Sequence, residues 1–316
     1  MAAYSAHDIS KHHAPASNAY GLLYTGLAVA LSGIGLAAAL NDTLWVWIAG
    51  QLVLALALVE WFVILHECGH RTLFRSRWMN QLVGAIAAFI VVIPYTAWRH
   101  VHARHHVWTG WQDRDITTET LVPRKLARWE RWAINAAWRT WMPLFSVLYR
   151  VQNFWNTRRL AKFLEAGLVR RIRIENSFFL TGYIALVVWL GPGYLFMMGG
   201  LALLLALAIE DILLLSQHTH MPTRIAGSAR VPLLSPRDQQ ACTRSLRLPR
   251  WLSWMLLHFD AHELHHMYVR VPGYRLRALS IQTPNEVSWW RWLRAAKKLS
   301  GVDFLFGSRD RTGMHL

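Results

Sequence analysis

Residues 43–70 read TLWVWIAGQLVLALALVEWFVILHECGH, a long apolar run that ends in two histidines four positions apart. From Thr43 to Leu65 the run is about the length that crosses a lipid bilayer as an α-helix. Side chains four positions apart lie on one face of a helix, so the imidazoles of His66 and His70 point the same way. The stretch therefore predicts a membrane-spanning helix that presents two possible metal ligands at its end.

Three further apolar runs extend this pattern to four predicted spans. Asn41-Asp42 separates the first two runs, and Gly191-Pro192-Gly193 is a turn signal between the last two, so each pair forms a hairpin. A signal peptide ending near Ala37-Ala38-Ala39 is the alternative for the first run. Its apolar part is longer than a signal core, however, and only Lys11 precedes it. The predicted spans are about residues 20–40, 43–65, 174–190 and 194–215.

Three shorter apolar segments are predicted to lie at the membrane without crossing it. The run from Leu82 to Ile93 ends at Pro94 and is too short to span, which favours a re-entrant or interfacial segment. The segment from Ala133 to Leu148 is amphipathic and rich in tryptophan, as interfacial helices are. Residues Trp251 to Leu257 have the same character.

Basic residues are segregated along the chain. Of the 34 Lys and Arg, 1 lies in residues 1–20, 18 lie in 66–173 and 15 lie in 217–316. Because cytoplasmic loops of membrane proteins are enriched in Lys and Arg, both termini and both large polar segments are predicted to face the cytoplasm. The basic surplus then lines one membrane face, where it can meet anionic lipid and acidic partners, so we expect no nucleic-acid role despite a pI near 10.7.

The composition supports this picture. Hydrophobic residues make up 54% of the 316 residues, the mean hydropathy is +0.20, and there are 18 tryptophans, which are enriched at membrane interfaces. Cys68 and Cys242 lack Cys-x-x-Cys spacing, and we expect both to be reduced. The sequence therefore predicts an all-α integral membrane protein with one domain over residues 1–316. Its four transmembrane helices form two hairpins, and a cytoplasmic helical cap over 66–173 and 217–316 holds the metal site.

Histidines are grouped in four boxes, all in the predicted cytoplasmic segments or at their borders with the spans. The i, i+3, i+4 spacing of the second and fourth boxes brings three imidazoles to one helical face. Eight or nine imidazoles exceed what one ion accepts, so the boxes predict two metal ions. The four boxes are His66-Glu67-Cys68-Gly69-His70, His102-Ala103-Arg104-His105-His106, Gln217-His218-Thr219-His220 and His262-Glu263-Leu264-His265-His266.

These boxes resemble those of the membrane fatty acid desaturase and hydroxylase superfamily, whose signature combines H-x3-4-H with two H-x2-HH motifs. The closest resemblance is to the plant-type oleate and omega-3 desaturase branch, which shares the string from His66 to His70. That branch also shares H-x-x-HH-x-x-T-G, here His102 to Gly110, and Gln217-His218-Thr219-His220. The resemblance covers roughly Tyr20 to Tyr274, although Met267 to Tyr274 matches the branch only loosely.

The resemblance implies a di-iron centre at the inner membrane face, with two Fe ions as cofactors and O2 as co-substrate. It implies eight ligands from three boxes and a ninth from the third, either His218 or His220. We expect a multi-pass protein of a bacterial inner membrane with its metal site on the cytoplasmic side. The eight implied ligands are His66, His70, His102, His105, His106, His262, His265 and His266.

Four further residues are candidates for orienting the ligands. Glu60 and Asp211 lie inside apolar runs, where ionisable groups usually face a cavity or the bundle interior. Asp211 lies seven residues before His218, on the same helical face, and either carboxylate could accept an imidazole N–H. His100 and His258 lie close to the second and fourth boxes. Other nearby carboxylates are Asp113, Asp115, Asp260 and Glu263.

The implied reaction is O2-dependent oxidation of an unactivated C–H bond in a fatty acyl chain, giving a cis double bond. The acyl group can be linked to lipid, coenzyme A or carrier protein. No flavin or cytochrome motif is evident, so we expect a ferredoxin-type electron donor, attracted by the basic face. Hydroxylase, ketolase, acetylenase and oxidative decarboxylase activities on the same cofactor are the alternatives.

Two other classes of protein share parts of the pattern. The first box is also the H-E-x-x-H motif of zinc metalloproteases, in which Glu67 is the general base. A protease leaves the other boxes unexplained. A metal transporter needs a polar pathway through its spans, whereas Glu60, Glu210 and Asp211 all lie near the inner ends.

Overall fold

The structure is a computed structural model, and it describes residues 15–307. Helices dominate the described chain, and a pair of two-residue strands runs parallel, with Leu246 opposite Val287. The helices and strands are α1 (Asn18–Ala39), α2 (Leu44–His70), α3 (Arg77–Ile90), α4 (Tyr95–Trp108), α5 (Arg128–Thr140), α6 (Leu144–Arg150), α7 (Thr157–Leu160), α8 (Ala166–Leu190), α9 (Pro192–His218), β1 (Leu246–Arg247), α10 (Arg250–Met255), α11 (His262–Met267), α12 (Gly273–Leu276), β2 (Val287–Ser288), α13 (Trp289–Ala296) and α14 (Gly301–Phe306).

Two compact units divide the chain. The span unit comprises Ser17–His100 and Phe145–Glu210, and it contains most of the apolar helices. Among the described residues, the histidine unit comprises 15–16, 101–144 and 211–307, and it contains the second, third and fourth histidine boxes.

Three helices of the described chain, α1, α2 and α9, are long and apolar enough to cross a membrane. The third predicted span corresponds to the second half of α8, which is continuous but is not among the three. Its first turns carry Arg170, Arg171 and Arg173, so apolar residues fill only its C-terminal part. The bent pair of α3 and α4 is a further candidate. The chain is thus a membrane protein with three or four candidate spans, and the two-hairpin arrangement stays a prediction.

Helices α1 and α2 pack closely through small residues. A Cβ atom added to Gly50 would lie 2.5 Å from the backbone nitrogen of Ala39, so only glycine permits this approach. Trp61 Nε1 donates a hydrogen bond to Ser32 Oγ at 3.0 Å across the same interface. Close backbone approach at small residues is the usual basis of helix association in membranes, where lipid supplies no hydrophobic drive.

The break between α3 and α4 turns the chain by 101°. Val92 has a φ of 59°, and Pro94 cannot donate a backbone hydrogen bond. Arg150 Nε donates to the Val91 carbonyl at 3.2 Å, and Trp155 Nε1 donates to the Val92 carbonyl at 3.0 Å. The predicted short segment from Leu82 to Ile93 therefore comprises most of α3 and the bend that follows it, where side chains from later in the sequence hydrogen-bond to the backbone.

The carboxylate of Glu175, in α8, caps the first turn of α4. Its two oxygens accept hydrogen bonds from the backbone nitrogens of Tyr95 at 2.8 Å and Thr96 at 2.9 Å. An anionic acceptor at a helix N-terminus satisfies orphan N–H groups and complements the helix dipole. The cap fixes the start of the helix that carries the second histidine box.

The predicted segment from Ala133 to Leu148 is divided between α5 and α6, and the segment from Trp251 to Leu257 overlaps α10. Their position at the membrane surface stays a prediction. In α5, Trp129 and Trp132 expose 71% and 73% of their surface. The opposite face of α5 is anchored to α14, where the Trp138 and Phe304 rings stack at 4.3 Å. In α10, Trp251 is 63% exposed.

Candidate metal site

The second box occupies the last turns of α4, where His105 is buried and oriented by Asp115. His105 Nδ1 lies 2.7 Å from a carboxylate oxygen of Asp115. The other carboxylate oxygen accepts hydrogen bonds from the backbone nitrogen and the hydroxyl of Thr117, both at 2.9 Å. Because a carboxylate accepts, His105 carries its proton on Nδ1 and presents the lone pair of Nε2.

The fourth box forms α11, and all three of its histidines are buried. His266 Nδ1 lies 2.9 Å from Gln239 Oε1. The amide orientation of Gln239 follows from its Nε2, which donates to the His106 carbonyl at 2.7 Å. His266 therefore donates through Nδ1, and its Nε2 lone pair is directed away from the glutamine.

The third box lies at the end of α9, and its two histidines have different surroundings. His218 Nδ1 is 3.3 Å from the Cys242 carbonyl. His220 has a φ of 56°, and its Nε2 donates to the Phe304 carbonyl at 3.0 Å. His218 thus faces the other box histidines, whereas His220 is bonded to α14.

One ligand nitrogen from each of His105, His218, His262 and His266 lies within 4.8 Å of the other three. His262 Nε2 is 3.0 Å from the Nε2 atoms of both His218 and His266. Because three of these rings donate through Nδ1, their Nε2 lone pairs converge. Three converging lone pairs suit a cation, and imidazole is a suitable ligand for iron, copper, nickel or zinc. We call these four residues the histidine quartet, and its donor set fits a metal ion.

Electrostatics favour the protonation states that a metal needs. Burial alone would raise the pKa of Asp115, but the charge of His105 and hydrogen bonds from His105 and Thr117 lower it below its usual value. Burial and the surrounding imidazoles lower the pKa of His266 well below its usual value, so this ring is neutral. A neutral His266 imidazole and an ionised Asp115 carboxylate are the states that favour metal binding.

Three more box histidines in the histidine unit lie next to one another. His106 Nε2 is 3.1 Å from His102 Nε2 and 3.0 Å from His265 Nε2. The unit therefore holds seven box histidines whose ring nitrogens face one another in two linked sets.

The first box lies in the span unit, at the end of α2. The His66 and His70 rings are 4.8 Å apart between centroids, as the four-residue spacing predicts. His66 Nδ1 is 3.1 Å from Glu67 Oε1, and the other oxygen of Glu67 accepts from the Thr72 hydroxyl at 2.7 Å. Glu67 therefore orients a histidine here.

The four candidate orienting residues have varied surroundings, and their roles stay predictions. Glu60 is fully buried in α2. His218 Nδ1 lies 3.3 Å from the Cys242 carbonyl, which can orient this ring whatever the role of Asp211. Burial lowers the pKa of Lys297 to about 8, and Asp211 is the charge that acts against this shift.

The two histidine candidates lie outside the quartet. His258 Nδ1 is 2.9 Å from Ser253 Oγ, which donates to Asp260 Oδ1 at 2.7 Å. His100 is half-buried in α4, two residues before the second box. Of the other aspartates, Asp113 accepts from the backbone nitrogens of Ala226 and Gly227.

The sequence analysis missed three residues that position candidate ligands, namely Glu67, Gln239 and Arg244. Arg244 is fully buried, and its guanidinium donates to the Ser216 carbonyl at 2.5 Å and the Thr219 carbonyl at 2.9 Å, on either side of His218. Glu67 directly follows the candidate ligand His66, so the sequence could have indicated its orienting role. Gln239 lies in a single-turn 3-10 helix, Asp238–Cys242, and Arg244 lies just after it, so no helical or strand periodicity in the sequence indicates either residue. Cys68 and Cys242 are both buried and unpaired, as expected.

Several known proteins are similar in sequence to this chain. The chain is 27% identical over 237 residues to the sn-1 oleoyl-lipid 12-desaturase of Picosynechococcus sp., covering 70% of this chain and 64% of that protein. It is 26% identical over 280 residues to the chloroplastic omega-6 fatty acid desaturase of Arabidopsis thaliana, covering 80% of this chain and 58% of that protein.

A third relative is bacterial. The chain is 23% identical over 224 residues to a fatty acid desaturase of Bacillus subtilis, covering 68% of this chain and 62% of that protein. These alignments span less than two thirds of the relatives' own lengths. The family model for fatty acid desaturases matches residues 8–287, nearly nine tenths of the chain, and the protein therefore belongs to the fatty acid desaturase family.

Proposed function

We propose that this protein uses O2 and two iron ions to introduce a cis double bond into a fatty acyl chain. The observation that carries the proposal is the histidine quartet, in which one ligand nitrogen of each ring lies within 4.8 Å of the other three. Neighbouring acceptors set the orientation of three of these rings. Membership of the fatty acid desaturase family supports the substrate class.

The quartet would hold one ion, with His218 as the ligand from the third box. When bound, the two irons would activate O2 and remove hydrogen atoms from an unactivated methylene. The protein would supply positioning and exclusion of water. The second ion is proposed to be held by the remaining box histidines of the histidine unit, which are His102, His106 and His265. The first-box pair, His66 and His70, stays the ligand pair that the family resemblance implies.

The chain's own residues do three things in this proposal. Asp115, Gln239 and the Cys242 carbonyl hold three quartet rings in the tautomer that presents Nε2. Arg244 fixes the end of α9 around His218. Burial of His105, His262 and His266 keeps bulk water away from their ligand nitrogens.

An apolar, extended substrate suits a site formed at the ends of membrane helices. Two relatives are named for desaturation of oleoyl-lipid or for omega-6 desaturation, and this favours a double bond within a long acyl chain. The carrier is lipid, coenzyme A or carrier protein. We propose that the polar segments and both termini face the cytoplasm of a bacterial inner membrane, and that a ferredoxin-type protein donates the electrons.

The test compares lipids from a host that expresses the protein, the His105→Ala variant or neither. Mass spectrometry is expected to find acyl chains that have lost two hydrogens only with the unaltered protein, and purified protein is expected to hold two irons. Acyl chains that have gained an oxygen atom would show that the protein is a hydroxylase and not a desaturase. One zinc per chain, with no altered lipid, would support the metalloprotease alternative.

A further inference from the structure

An exposed basic face on α13 belongs to none of the features described so far. Arg291, Arg294 and Lys298 are all exposed, and their spacing places them on one side of α13 and the turn that continues it. Within residues 15–307, none of the three takes part in a salt bridge. Trp290 lies beside them and is 52% exposed.

This face is held rigidly. On the inner side of α13, Trp292, Leu293 and Ala296 are buried. Just before the helix, Arg277 forms ion pairs with Glu286 and with Asp260, the latter at 2.7 Å. The three cations are therefore presented on a fixed support.

A short hydrogen-bonded path joins this face to the fourth histidine box. The strand β2 precedes α13 directly, and its Val287 nitrogen donates to the Ser245 carbonyl at 3.0 Å. Ser245 Oγ accepts from the Glu263 backbone nitrogen at 3.0 Å, and Asn285 donates from its nitrogen to Glu263 Oε1 at 3.1 Å. Glu263 follows His262 in the chain, so these hydrogen bonds connect α13 to a residue of the histidine quartet.

We propose that Arg291, Arg294 and Lys298 form the docking face for a small acidic one-electron carrier protein of the ferredoxin type. The inference rests on the proposed function, which consumes electrons. Converting O2 and two acyl hydrogens into two waters takes two more electrons and two protons. Two carrier molecules, each oxidised by one electron, deliver the electrons in turn, and the protons come from water.

Charge and composition favour a protein partner over a lipid surface at this face. Complementary charge steers association and sets its salt dependence. Interfacial helices combine basic residues with several exposed aromatic side chains, as α5 does with Trp129 and Trp132. The α13 face has three cations and one exposed tryptophan, so it is mainly a charged surface that is complementary to an acidic protein.

The test uses the iron-loaded protein in zwitterionic nanodiscs. One variant carries Arg291→Glu, Arg294→Glu and Lys298→Glu. The matched control carries Arg128→Glu, Arg131→Glu and Arg139→Glu on the exposed side of α5, which changes the net charge equally. Turnover is measured with a reduced [2Fe–2S] ferredoxin and, separately, with dithionite and a small mediator, and binding is measured with redox-inactive gallium-substituted ferredoxin.

For the α13 variant we expect the KM for ferredoxin to rise by about tenfold or more, with a flatter salt dependence, because steering charges are reversed. Turnover driven by dithionite and the ferredoxin KM of the α5 control should stay unchanged. An unchanged KM in the α13 variant, or an equal rise in both variants, would overturn the docking face. So would an equal loss of the turnover driven by dithionite, which needs no carrier protein.

Failure of the proposed function gives a different pattern. If the protein shows no turnover with either reductant, binding of gallium-substituted ferredoxin still decides the docking face. Binding lost only in the α13 variant supports the face, and binding equal in all three proteins removes it.

Discussion

Asp115 is buried beside His105, and its carboxylate accepts a hydrogen bond from His105 Nδ1 at 2.7 Å. A partner of this kind fixes the tautomer and the ring orientation, and it makes Nε2 more basic. The quartet contains two analogous contacts, from Gln239 to His266 and from the Cys242 carbonyl to His218. At the scale of single residues, the site depends as much on these acceptors as on the histidines.

Replacing Asp115 with Asn is expected to weaken iron binding by roughly 10-fold to 100-fold, the usual effect of removing such a partner. Competition with a chelator, followed by iron analysis, measures the change. Asp113→Asn is the matched control, because Asp113 bonds to backbone nitrogens of Ala226 and Gly227. Equal iron affinity in the two variants would show that Asp115 does not orient the ligand.

The third box gives a second test at this scale. His218→Ala is expected to lower the iron content, since His218 belongs to the quartet. His220→Ala is expected to retain the iron, because the His220 ring is bonded to the Phe304 carbonyl. Metal analysis of both purified variants distinguishes them, and the reverse result would make His220 the ninth ligand.

Among the helices, α4 depends on contacts that lie far away in the sequence. Its first turn is capped by Glu175, and the bend before it is bonded by Arg150 and Trp155. Each of these three side chains lies at least 55 residues beyond the bend. The orientation of a helix that carries three histidines is thus set by a separate part of the chain.

Glu175→Ala is expected to reduce the free energy of unfolding by about 1 kcal/mol, as the loss of a helix cap does. Thermal unfolding in detergent measures this change. Glu165→Ala is the control, because Glu165 occupies the N-cap of α8 without a side-chain capping bond. Similar losses in both variants would mean that capping of α4 contributes nothing.

The packing of α1 on α2 gives a parallel test with glycines. Gly50→Ala is expected to cost about 1–3 kcal/mol, because the added Cβ meets the Ala39 backbone and forces the helices apart. Gly26→Ala, where no atom lies within 4 Å of the added Cβ, should leave the melting temperature unchanged or raise it. A Gly50 variant as stable as Gly26→Ala would contradict the close packing.

How much of this was predictable follows from the range of the interactions. Helix spacing within a box is local, so the pairing of His66 with His70 and the clustering in α4 and α11 could be predicted. Gln239 and Arg244 lie in and just after a short 3-10 helix and contact residues far from them in sequence, and no local pattern reveals such contacts. The predicted third span is not among the three long apolar helices for a local reason. Arg170, Arg171 and Arg173 precede its apolar part in the same helix.

At the scale of the whole molecule, the segregation of 34 basic residues predicts that the two tight turns face away from the cytoplasm. Cysteines placed at Asp42 and Gly193, both exposed, should react with a membrane-impermeant maleimide in intact cells. A cysteine at Arg291 should react only after lysis. Cys68 and Cys242 are buried and should give little background. Labelling of Arg291→Cys in intact cells would reverse the proposed orientation.

The converging lone pairs of the quartet have a consequence for the life of the protein in a cell. Without an ion, the chain must hold like partial charges against one another in a buried place, so the metal-free form is the less stable one. Binding that occurs only in the folded state shifts the folding equilibrium in proportion to the supply of the ligand. Iron-starved cells should therefore contain less of this protein, because proteases degrade the unfolded chain. The amount of the protein in the cell would then depend on the supply of iron.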